Sequence, residues 1–113
     1  MLLVDRISLG ELQAMSEKMS EPIVKGVVDV SLHLLVVDAE MHVDQEQFLL
    51  ERGSNQADIW GINLWPGQFG EEDFVEFDSM INIRPWQNNR SRSVCDHVVR
   101  MKIMAIVLEK VYE

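Results

Sequence analysis

A chain of 113 residues, 47% of them hydrophobic, is long enough for one domain with a real core and too apolar for a disordered segment. Its apolar stretches are broken by Asp29, His33 and Asp38 and never approach the roughly 20 residues that span a bilayer, which excludes a helical membrane protein. A formal net charge of −9 disfavours long nucleic acid and anionic membranes as partners.

The amino-terminal MLLVDRISLG has no apolar stretch long enough for a signal peptide. Ser8 and Glu11 then have the spacing of a capping box, and Leu12, Met15 and Met19 follow at helical spacing until Pro22 stops the element. Residues 23–41, rich in valine and leucine, predict two strands with a turn near Ser31-Leu32-His33. A second helix is expected from Asp44, with Asp44 and Gln47 as reciprocal caps, to Gly53, which suits the left-handed residue after a helix.

Ile59–Trp65 reads as the third strand and Phe74–Arg84 as a fourth, paired back on it. In that fourth strand Val75, Phe77, Ser79, Ile81 and Ile83 alternate with Glu76, Asp78, Met80, Asn82 and Arg84. The alternation predicts a core face and a polar, wet face. Pro85 ends the strand, a polar loop runs over 86–95, and Asp96 caps a last helix whose stripe is Val99, Ile103, Ile106, Val107 and Val111. Met101, Met104 and Leu108 fall outside that stripe, so the helix is apolar on more than one face and suggests a homodimer through the C-terminal helix. The order α-ββ-α-ββ-α predicts a single α+β domain over residues 1–113. It has an antiparallel sheet of about four strands, from two hairpins, with helices against one face.

Two stretches, EMHVDQEQFLLERGSNQADIWGINLWP (40–66) and VEFDSMINIRPWQNNRSR (75–92), resemble a family of small prokaryotic proteins known only as a domain of unknown function. The chain departs from that pattern at Trp86, where a smaller residue is expected, and at Asn88, where glycine is. It also lacks the glycines expected near His33 and at Asp38-Ala39. The resemblance implies an intracellular protein and supplies no reaction.

Charge is distributed unevenly. Residues 1–78 carry 16 acids and 4 bases, whereas residues 79–113 carry 3 acids and 6 bases. Arg84, Arg90 and Arg92 fall within nine positions, among Asn82, Asn88, Asn89 and Ser91. Guanidinium groups match the oxygens of phosphate and carboxylate, so this arginine loop is the leading site for a small anionic ligand or an acidic partner. Asn63, on the paired strand, is placed to join it, and Trp86 is an aromatic available for stacking. The competing reading is internal: the same arginines can pair with the protein's own carboxylates.

His42, Asp44 and Glu46 have donor types that suit a metal, but Asp44 already has work as a helix cap and no second histidine pair lies nearby. No cofactor is indicated. The single cysteine, Cys95, excludes an internal disulfide and a cysteine-built zinc site, and fits a reducing, cytoplasmic setting. The residues thus favour a binding or regulatory module for an anion. The alternatives are a small hydrolase acting on a phosphorylated substrate, with His42 and one or two of Asp44, Glu46 and Asp78 assisting the arginines, and a structural homo-oligomer subunit.

Overall fold

The computed structural model describes residues 1–113. Its elements are β1 (Leu2–Leu3), β2 (Ile7–Ser8), α1 (Leu9–Ser16), β3 (Val24–Asp29), β4 (Leu34–Val37), α2 (His42–Leu50), β5 (Ile59–Leu64), β6 (Val75–Glu76), α3 (His97–Lys110) and β7 (Val111–Tyr112). The α+β class holds. The sheet has five strands, in the order β1-β4-β3-β5-β6, and every pairing in it is antiparallel. The fifth strand is β1, which pairs with β4 through two residues. A separate parallel pair, β2 with β7, ties the start of the chain to the end of α3. Two-residue strands have no periodicity to announce them. No helix is long and apolar enough to cross a membrane.

Local rules explain most of the frame. Ser8 Oγ accepts the Glu11 amide at the start of α1, and Asp96 accepts the amides of Val98 and Val99 at the start of α3. Asp29, fully buried at the end of β3, closes the β3–β4 hairpin: its Oδ1 accepts the amides of Ser31 and Leu32, while Oδ2 accepts Ser54 Oγ at 2.6 Å. His33 turns the hairpin at φ 57°, Asp38 leaves β4 at φ 65° and Asn88 sits at φ 59°. These left-handed positions fall where the family pattern leads one to expect glycine, and His, Asp and Asn are the side chains that best tolerate the conformation.

Helices cover both faces of the sheet rather than one. Val28, Leu35, Trp60, Ile62 and Leu64 pack in one core with Leu12 of α1 and Ile103, Ile106 and Val107 of α3. Val27, Val36 and Ile59, on the opposite face by alternation, pack on Leu49 of α2. α2 begins at His42, not Asp44: its N-cap is Met41 without a side-chain bond, and Asp44 stands exposed in the first turn, where its charge suits the helix dipole. Gln47 bonds Glu51 instead of capping.

The largest departure is at residues 77–92. The expected strand to Arg84 ends at Glu76 and gives way to tight turns at Met80–Asn82 and Pro85–Gln87. Ser79 starts this change of course. Its amide donates to Arg92 O, not to β5, and its Oγ accepts the Ile81 amide.

The vacated edge of β5 is closed by side chains. The Asn82 carboxamide does what a paired residue of a strand does: Oδ1 accepts the Gly61 amide at 2.8 Å and Nδ2 donates to the Gly61 carbonyl at 2.9 Å. Arg84 donates from Nη2 to Ile59 O at 2.6 Å and from Nη1 to Gln56 O. Asn82 and Arg84 are therefore buried, at 0% and 1% exposure, and not on a wet face. Met80, expected on the same face, is 64% exposed.

Gly61 is required by this arrangement, because a Cβ there would lie 2.5 Å from Ser79 Cβ. Gly61→Ala is expected to cost about 2–3 kcal/mol by overpacking, read as a lower urea midpoint, and Ser79→Gly in the same chain should recover part of it. An alanine variant as stable as the parent would mean that Ser79 yields.

Candidate anion-binding cleft

The sheet face under α2 carries a polar row. Lys25 of β3 lies opposite Asn63 of β5, and Asn63 lies opposite Glu76 of β6, so the three side chains run across neighbouring strands. Asn63 Nδ2 donates to Glu76 Oε1 at 2.8 Å and to Asp78 O, while its buried Oδ1 has no partner. The first turn of α2 lies over this row. Gln45 Nε2 donates to Lys25 O at 2.8 Å, and His42 Nε2 meets Ile62 O at 2.7 Å.

A carbonyl oxygen only accepts, so Nε2 carries the His42 proton and Nδ1 of the neutral ring is an acceptor. Burial pushes the imidazole pKa below its ordinary value. The bond to Ile62 opposes that shift, Lys25 and Arg92 add to it, and Asp78 opposes it. Two cations thus act on a neutral histidine.

Lys25, His42, Ser79 and Arg92 provide the polar lining of one cavity of about 180 Å³, with Met41 and Met80 among its apolar walls. That volume falls below the roughly 300 Å³ at which pockets for drug-sized ligands begin, so the cleft suits a phosphate- or carboxylate-sized group rather than a nucleotide. Arg92 is held in place by its Nε, which donates to Asp78 Oδ1 at 2.6 Å; its two terminal amino groups make no hydrogen bond and its side chain is about half exposed.

The remaining arginine-loop residues lie apart from this cleft. Arg84 stacks 4.1 Å from the centre of the Trp60 ring and has both terminal amino groups on main-chain carbonyls. Burial lowers its pKa, against the charges of Glu46 and Asp58. Asn89 donates to Asn82 O, Ser91 O and Ser93 O and accepts the Cys95 amide, which pins the loop's two arms together. Arg90 and Trp86 are exposed and do not line the cleft.

The 42–46 segment divides. His42 faces the cleft, Asp44 faces solvent, and Glu46 is buried near Arg84 with Oε2 unpartnered. No three His, Cys, Asp or Glu side chains converge as a metal would require.

Lys25 is the cleft cation that a reading of the sequence passes over, and Ser79, read there as facing the core, is the other polar residue missed. The signal for Lys25 was a lysine inside IVKGVVDV, near the start of an otherwise apolar strand pattern and on the same face as Val27 and Asp29.

Searches of the curated proteins and of the solved structures found no match for this chain. The family-model comparison did, and its match covers nearly the whole domain, well beyond the two stretches that first suggested a resemblance. The polar row, the α2 turn over it and the side-chain-closed edge of β5 all lie within residues 1–110, the span that places the chain in the family described as Protein of unknown function (DUF5674).

Proposed function

We propose that this protein is a cytoplasmic binding module for a small oxyanion, a phosphate or carboxylate group, held between Lys25 and Arg92 beside His42. The observation that carries the reading is the shared cavity, in which two cations and a neutral histidine converge in an otherwise acidic protein. The free terminal amino groups of Arg92 can donate to two oxygens in parallel, and Lys25 supplies a point charge. The single cysteine, which has no partner for a disulfide within the chain, fits a reducing compartment.

The test is an NMR titration of the His42 ring with inorganic phosphate and, separately, acetate. Saturable shifts below about 10 mM are expected, with the His42 titration midpoint moving up when the anion is bound. Arg92→Gln and Lys25→Gln should each weaken binding by roughly ten- to a hundredfold, the worth of one charge-assisted hydrogen bond, and Arg90→Gln should not. Linear, unsaturated shifts with both anions would end the reading.

One observation favours a second reading, a hydrolase of phosphorylated substrates: His42 and Arg92 line the same cavity, and Nδ1 is free to act as a base. Turnover of a phosphate ester that disappears with His42→Ala, while phosphate binding persists, would favour it over simple binding.

A further inference from the structure

α3 has two apolar stripes on opposite sides. Ile103, Ile106 and Val107 are buried in the core. Val98, Met101, Ala105 and Leu108 all face solvent, and the three large ones are 58%, 60% and 53% exposed. Their spacings, three, four and three, are those of the a, d, a and d positions of a heptad. At about 100° per residue they fall within a stripe about 80° wide. A helix that packs on one core needs one apolar stripe; this second one has nothing in its own domain to cover it.

We propose that this seam docks on the same seam of a second copy of the chain, with the two α3 helices antiparallel about a twofold axis. Charge decides both the occupant and the direction. Lys102 and Glu109 are exposed and occupy the two e positions on one flank of the seam. An antiparallel pair whose axis passes between them sets Lys102 of each copy beside Glu109 of the other, twice over. A parallel pair offers neither residue an opposite charge, because e positions then face g positions, here His97, Met104 and Val111. The antiparallel arrangement also sets the helix dipoles head to tail. This inference stands on the α3 surface alone and is independent of the anion cleft.

A 14-residue helix is about 21 Å long, so the contact is at the small end of specific interfaces and the dimer is expected to dissociate in the micromolar range. Sedimentation of the full chain over about 1 to 200 µM should show a monomer–dimer equilibrium. Leu108→Glu should leave a monomer with an unchanged circular dichroism spectrum, because Leu108 makes no part of the core. Lys102→Glu and Glu109→Lys should each weaken the dimer by about tenfold, since each swap sets two like-charge contacts in place of two attractive ones, and the double swap should restore it. A monomer at every concentration overturns the interface. A dimer that survives Leu108→Glu, or a double swap that fails to restore affinity, overturns the antiparallel seam.

Discussion

Replacing Arg84 with alanine is expected to lower the stability of this domain by about 3–5 kcal/mol, the largest effect of any change in the arginine loop. Two main-chain carbonyls lose their donors, Ile59 O in a buried site and Gln56 O in a part-buried one. Each such loss costs about 1–3 kcal/mol. The guanidinium also leaves the face of Trp60, and the space it filled stays open. Against a total of roughly 5–15 kcal/mol, this is a large fraction. Arg90→Ala, at an exposed site without an ion pair, should stay within about 0.5 kcal/mol of the parent. Urea denaturation of the two variants side by side makes the comparison. If they unfold at the same midpoint, the buried arginine is not holding the edge of β5.

Asn82→Asp is expected to be nearly as severe, at about 3 kcal/mol near neutral pH. The carboxylate still accepts the Gly61 amide, but it has no hydrogen to offer the carbonyls of Gly61 and Arg92, which now face a buried negative charge. The pH dependence has a definite sign. Burial against carbonyl oxygens raises the folded-state pKa of the introduced acid, so the deficit is complete above that pKa. It shrinks as the solution is acidified and the protonated acid regains one donor. Asn82→Ala loses all three bonds, that from the Gly61 amide included, but buries no charge, and its deficit should not change with pH in this way. Denaturation of both variants at neutral and mildly acid pH separates charge burial from bond loss; parallel curves would remove the electrostatic part of the account.

These residues also show where the sequence stops being legible. The caps at Ser8 and Asp96, the left-handed Gly53 and the β3–β4 hairpin follow from short-range rules, in which a residue type and a spacing have one cheap geometry. The alternation in 75–84 obeys the same rules and misleads. Asn82 and Arg84 are polar, and a polar side chain on a strand normally faces water. Here each is consumed by main-chain groups of β5, more than twenty residues away in the chain, and no local pattern encodes that pairing. The cleft was legible in pieces. Arg92 stands out in a basic segment and His42 beside its acids, but their meeting depends on the first turn of α2 lying across β3 and β5. The helix start, read two residues late at Asp44, put His42 outside the element that carries it.

The closed edge of β5 has a consequence for how this protein meets its neighbours in a crowded solution. A sheet edge sealed by a strand must be peeled away one ladder bond after another, whereas this one is sealed by the side chains of Asn82 and Arg84 on an irregular segment. Withdrawal of that one segment, by proteolytic nicking or by loss of Asn89's hold on its arms, would bare Ile59 to Gly61 together, with the rest of the sheet intact. An apolar strand with open main-chain groups is a template for another chain. In this fold, resistance to strand exchange and aggregation therefore resides in two polar residues, and the variants that destabilise it most should also be those that associate through β5.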